Sequence, residues 1–240
     1  MVYSLVAYLT GLGVLTGFVL WVGAWDFLPW HIDSRQPVDL AQGMAVNLGL
    51  LLLFGLQHSV MARPGFKRLL KRMIPGPAER STYVLISAFM IGLICIFWQP
   101  LPGTVWAVDN PIGQWLLIGG YVAGWGVSVW STFIIDHFEL FGLRQAWRHL
   151  RGLPEPAGTF KELSFYRVVR HPMQLGVLVG LWSTPVMSAT HLVLALGMTA
   201  YVLIGLYYEE RDLLQELGGD YADYRHRVSQ LIPALRRRRG

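Results

Sequence analysis

The chain has 240 residues, 53% of them hydrophobic, and only 15% are charged. Soluble domains usually carry about 25% charged residues, so the shortfall and a positive mean hydropathy point to a polytopic membrane protein. The single cysteine, Cys95, lies within an apolar run, which excludes an intramolecular disulfide and a thiolate zinc cluster.

A helix needs about 20 apolar residues to cross the hydrocarbon core. Candidate spans cover residues 2–25, 40–61, 82–98 and 113–135. The first lacks an early basic cluster and a small-residue cleavage site, so it reads as a retained span. Residues 173–208 are long enough for two short or tilted spans. Thr184-Pro185 and His191 lie near the expected turn, and the two spans form a tight hairpin. The expected fold is therefore all-α: a polytopic bundle of about six transmembrane helices, the last two a hairpin, in one domain over 1–240.

Charge supports that count. Of the 20 Lys and Arg, all but Arg35 fall on the segments after the second, fourth and sixth spans. By the positive-inside rule both termini are cytoplasmic. The net charge of +5 then reports topology and lipid contact; no basic stretch carries the aromatic platform of a nucleic-acid interface. Trp21, Trp25, Trp30, Trp98 and Trp106 form an outer aromatic belt, and the basic tail 236–239 suits anionic lipid.

Residues 137–166 make a long cytoplasmic segment punctuated by Pro154, Pro156 and Gly158, with a short interfacial helix near 145–150. It is long enough to cap a site. No dinucleotide fingerprint or phosphate loop is present, and the seven histidines show no metal-ligand spacing on one helix. Polar groups at membrane depth are costly and often functional. Gln57-His58, Asp136-His137, His171 and Glu209-Glu210 all fall at the cytoplasmic ends of spans. That convergence is the main signal of a site.

Arg170-His171-Pro172-x-x-x-Gly176, Glu209-Glu210, Gly219-x-Tyr221-x-x-Tyr224 and Pro233 resemble the C-terminal half of the isoprenylcysteine carboxyl and phospholipid N-methyltransferases. Gln174 stands where those families often carry Tyr. The N-terminal half narrows the resemblance. Leu56-Gln57-His58-Ser59-Val60-Met61-Ala62-Arg63-Pro64 and Glu79-Arg80-Ser81-Thr82-Tyr83-Val84-Leu85 resemble the bacterial methanethiol S-methyltransferases. So do His137-Phe138-Glu139-Leu140-Phe141-Gly142-Leu143-Arg144-Gln145 and Tyr208-Glu209-Glu210-Arg211-Asp212-Leu213.

The resemblance implies an enzyme of the bacterial inner membrane, with a cytoplasmic site, that uses S-adenosylmethionine to convert methanethiol to dimethyl sulfide. Its donor-binding core covers about 164–233, with His171, Pro172, Gly176, Glu209, Glu210, Tyr221 and Tyr224 around the donor. His137 is then the expected base, oriented by Asp136, with Arg144 and Arg170 as cations that favour the thiolate. Phe138, Phe141, Trp147 and His58 are expected to line the thiol pocket. No metal and no protein partner is implied. Two other readings stay open: a prenylcysteine-type or lipid methyltransferase, and a transport or haem-associated protein of the related family linked to nitric-oxide metabolism.

Overall fold

A computed structural model describes residues 1–154 and 163–233. Pro156, Gly158 and the tail 236–239, invoked above, lie outside the described residues. Five helices are long and apolar enough to cross a membrane. They are α1 (Val2–Val22), α2 (Leu40–Ala62), α4 (Glu79–Phe97), α5 (Pro111–Ile135) and α9 (Ala189–Leu217). Three of them start where a side chain accepts the free N–H groups of the first turn. Asp39 caps α2, Asn110 caps α5 ahead of Pro111, and Ser188 caps α9. Only 17% to 39% of each span window is buried inside the protein. Leu52, Leu116, Val129 and Ile204 point outward, as expected where lipid is the solvent and all backbone polar groups are paired within helices.

The apolar core gathers at one end of the bundle, where α1 and α4 finish and α5 and α9 begin. Phe18, Trp21, Ile94, Trp98, Tyr121, Leu181 and Leu194 meet there. Buried Asn47 ties α2 to the end of α4, donating to the Gln99 carbonyl and accepting from its amide, both at 2.8 Å. With its side chain satisfied on both atoms, this polar residue stabilises the packing that would otherwise exclude it.

A short two-stranded sheet joins the helical bundle. β1 (Thr104–Ala107) pairs antiparallel with β2 (Val186–Ser188). The hairpin expected over 173–208 also divides unequally. α8 (Pro172–Trp182) has 11 residues and α9 has 29. At 1.5 Å per residue α8 is about 16 Å long, half the hydrocarbon thickness. Residues 183–188, which turn at 184–185 and end in β2, carry the chain on toward β1. Helix and strand together therefore reach from the basic end of α5 to β1. α8 runs antiparallel to α5, with Gly176 against Ser128, Gly180 against Gly124 and Ser183 beside Gly120. A Cβ on Gly124 would lie 2.5 Å from Gly180 N and 2.7 Å from Gly176 O, so the two backbones touch and only glycine fits between them.

α9 continues past Tyr208, so Glu209 and Glu210 sit within a helix rather than at its end. Shorter helices gather at the opposite, basic end. They are α3 (Pro64–Met73), α6 (His137–Leu140), α7 (Leu143–Arg151) and α10 (Gly219–Arg227). α3 falls inside the basic segment after the second span, where no helix was expected. Its Phe66 and Leu70 pack on Met61, Tyr83 and Val84, while Lys67, Arg68, Lys71 and Arg72 supply its polar side.

Candidate active site

The polar groups of the basic end form three clusters. In the first, Arg170 and His171 precede α8 and meet Glu210 on α9. Glu210 Oε1 accepts from Arg170 Nε and Nη2, each at 2.7 Å, and lies 3.1 Å from His171 Nε2. Its other oxygen is 3.6 Å from Arg225 Nε. Arg170 Nη1 also donates to the carbonyls of Arg225 and Val228. The backbone of 169–171 runs beside 229–230, with Arg170 N donating to Ser229 O at 2.8 Å. Arg170, His171 and Glu210 are all buried. A charge pair removed from water holds only when its remaining donors and acceptors are also satisfied, and Arg170 meets that condition.

Glu209 differs from its neighbour. Successive helical residues point about 100° apart. Among the described residues the exposed Glu209 makes no hydrogen bond or ion pair. Its carboxylate lies within electrostatic reach of His171 and of the hydroxyls of Tyr83, Tyr166, Tyr201 and Tyr221. It is thus a carboxylate with no protein partner among the described residues, within electrostatic reach of one histidine and four tyrosines. On the Glu210 side of α9, a groove of about 470 Å³ is lined by Arg170, Tyr207, Arg211 and Arg225, among others. Three guanidiniums against one carboxylate make that groove unsuited to a cationic ligand.

Tyr221 and Tyr224 are buried, packed with Val228 against Leu213, Leu214 and Leu217. Tyr224 Oη donates to the Tyr166 carbonyl at 2.6 Å. Burial pushes the Tyr221 hydroxyl up to about 12, which keeps it a neutral donor. Pro172 opens α8 at its first turn, where no amide hydrogen is needed. Gly176 serves the α5 contact and lies away from the polar cluster.

The second cluster surrounds His137. Its Nδ1 lies 2.7 Å from Thr132 Oγ1, and its Nε2 lies 3.0 Å from Tyr8 Oη. Thr132 Oγ1 donates to the Val129 carbonyl, so it accepts from Nδ1–H and Tyr8 donates to Nε2. The ring stacks on Phe133 at 4.2 Å, with Phe138 and Phe141 around it. Burial lowers the His137 pKa and Asp136 opposes that shift. Asp136 caps Glu139 N and holds Arg144 at 2.5 Å. Phe138 and Trp147 are exposed, with Arg151 over the Trp147 ring. None of these contacts joins His137 to Glu209 or His171.

The third cluster was represented in the sequence only by His58. Tyr83 Oη lies 2.6 Å from His58 Nε2, and Ser87 Oγ lies 3.1 Å from its Nδ1. Phe54 and Tyr201 close the other sides, 5.3 and 5.9 Å from the His58 ring. Arg80 sits 5.0 Å over the Tyr83 ring and donates to Leu140 O at 2.6 Å, tying α6 to α4. Phe141 packs on the group of Met61, Tyr83 and Val84 and on the His137 ring, so it lies between these two clusters. Tyr83, Tyr201 and Ser87 gave little signal in the sequence because hydroxyls inside apolar helices are ordinary. Their spacing of four residues, Tyr83 to Ser87 on α4, was the available clue.

No family model and no solved structure matches the chain. It is 45% identical over 234 residues to methanethiol S-methyltransferase 2 of Bradyrhizobium diazoefficiens, covering 98% of this chain and 87% of that protein. Identity to the methanethiol S-methyltransferase of Mycobacterium tuberculosis is 44% over 230 residues, 96% and 93% of the two chains. Nurim of Sus scrofa is 31% identical over 212 residues, 85% of this chain and 80% of that one. With identity of this level running from the first span through the polar clusters, the chain belongs to the methanethiol S-methyltransferase family.

Proposed function

We propose that the chain is a membrane S-methyltransferase that carries a methyl group from S-adenosylmethionine to methanethiol, releasing dimethyl sulfide. The carrying observation is the open Glu209 carboxylate beside His171, in a chain related over nearly its whole length to methanethiol S-methyltransferases. The donor brings an electrophilic methyl group on a positively charged sulfur. Glu209 suits that charge, because attraction in a partly dry site exceeds that in water. Glu210, Arg170 and Arg225 hold His171 and the 225–230 segment in place around it. Tyr166 and Tyr221 offer flat, neutral walls for the nucleoside.

Methyl transfer between sulfurs is chiefly a matter of alignment. The chain's task is to hold a thiolate in line with the methyl group and to keep water away. Residues 164–233 supply the donor side. The basic end faces the cytoplasm of a bacterial inner membrane, and α8 with 183–188 supplies a sixth crossing beside the five long helices. Both termini are then cytoplasmic.

The test is direct. Membranes containing the protein, given S-adenosylmethionine and methanethiol, release dimethyl sulfide into the headspace. Methylation of a prenylcysteine or a phospholipid amine instead, with no dimethyl sulfide formed, would reject the acceptor.

A further inference from the structure

The thiol must be deprotonated, and the chain holds two histidines with the same kind of surroundings. Each has a tyrosine hydroxyl at Nε2 and a serine or threonine hydroxyl at Nδ1. They differ in what lies beyond the tyrosine. Tyr8 faces Phe138 and Phe141, and its contacts stay among α1, α5 and α6. Tyr83 lies within electrostatic reach of Glu209, has Arg80 over its ring, and shares through His58 an aromatic enclosure with Phe54 and Tyr201. An apolar enclosure suits a methyl substituent, and the cation over the ring favours a thiolate forming beside the hydroxyl.

We propose that Tyr83 and His58 activate the thiol, and that His137 does not. This rests on the S-methyltransferase reading above. Tyr83 Oη accepts the thiol proton while its own hydroxyl proton passes to His58 Nε2, 2.6 Å away. The thiolate sulfur forms a bond to the donor's methyl carbon. The bond from that carbon to the donor's sulfur breaks, and its electron pair stays on the donor's sulfur. The thioether and the neutral donor product leave, and His58 returns its proton through Tyr83 to water. Ser87 holds the imidazole in register from its other nitrogen. Tyr83 is the catalytic residue here, and His58 acts through it.

The size of the effect follows from ionisation. A cysteine-type thiol with a pKa of about 8.5 is about 3% ionised at pH 7 and a simple alkyl thiol is no more acidic, so assisted deprotonation is worth about 30-fold or more, against about 10²–10⁴ for general bases at large. An acidic thiol needs no such help. The experiment uses the full-length protein in nanodiscs at saturating S-adenosylmethionine. It compares ethanethiol with trifluoroethanethiol, a thiol of similar size made more acidic by its fluorines.

Tyr83→Phe is expected to lose about 30-fold with ethanethiol and less than about threefold with trifluoroethanethiol. His58→Gln should give the same pattern and decides the matter if Tyr83→Phe does not assemble. Both variants should bind S-adenosylhomocysteine like the wild type in calorimetry. His137→Gln should leave the ratio between the two thiols unchanged. Equal losses on both thiols in either relay variant, or a ratio that moves only in His137→Gln, would overturn the proposal. A wild-type protein that methylates neither thiol would instead sink the S-methyltransferase reading itself.

Discussion

Glu209 and Glu210 are neighbours on α9, yet they live in opposite environments. Glu210 is buried, bound to Arg170 and His171, and stitched through Arg170 to the carbonyls of Arg225 and Val228. Glu209 has no ion pair among the described residues and lies within electrostatic reach of four tyrosines. The same division separates the histidines. His137 is closed between Tyr8 and Thr132, whereas His58 is bonded to Tyr83, which lies within electrostatic reach of Glu209. One set of groups makes a frame, and the other is left able to meet a ligand. A charged pair repeated in sequence therefore does two different jobs, because a 100° step on a helix changes what each carboxylate sees.

Breaking the frame should cost most. Arg170→Leu leaves Glu210 buried without its main partner, which is expected to destabilise the protein by about 3–5 kcal/mol. Thermal unfolding in detergent measures this, and a change below about 1 kcal/mol would show that the pair is not structural. On the open side, Glu209→Gln should weaken binding of S-adenosylmethionine, measured without thiol, about tenfold, or about 1.4 kcal/mol, in calorimetry. Its unfolding temperature should barely move, and a large fall would place Glu209 in the frame as well.

His137→Gln tests the closed histidine, with an expected loss of about 1 kcal/mol of stability from the broken hydrogen-bond chain. Burial lowers the folded-state pKa of His137 below the ordinary value near about 6.5. The stability it contributes is therefore present above that value and is lost as pH falls through the folded pKa. Unfolding profiles of wild type and variant should converge as pH falls below the ordinary imidazole value; parallel profiles would exclude His137 as the cause. The smallest effect belongs to Arg144→Ala. Its partner Asp136 also caps α6, and Arg144 is nearly half exposed, so the expected loss is about 0.2–1 kcal/mol and should shrink further in high salt.

Much of the fold was legible in the residues. Apolar runs of span length mark the five long helices, since lipid leaves no other way to satisfy a backbone. Alternating basic segments gather the polar residues at one end, and the structure brings those ends together around α8, α9 and α10. The unequal division of 173–208 was not legible. A half-length helix extended by a strand has the same composition as two short spans, and only the contact between Gly124, Gly176 and Gly180 separates them. The continuation of α9 through Glu209-Glu210 was hidden for a related reason. Charged residues read as a span's end, but Glu210 finds Arg170 and His171 there and the helix carries on.

By itself, the amino-acid sequence determined a helical membrane protein, the end at which its polar groups collect, and a set of motifs that place it among the thiol methyltransferases. Those properties depend on composition, periodicity and local order along the chain. The tertiary structure decided which carboxylate is locked and which is open, and that His58, Tyr83 and Ser87 form one hydrogen-bonded unit across α2 and α4. Such choices depend on which faces of separate helices meet, and no residue carries that information in its own neighbours.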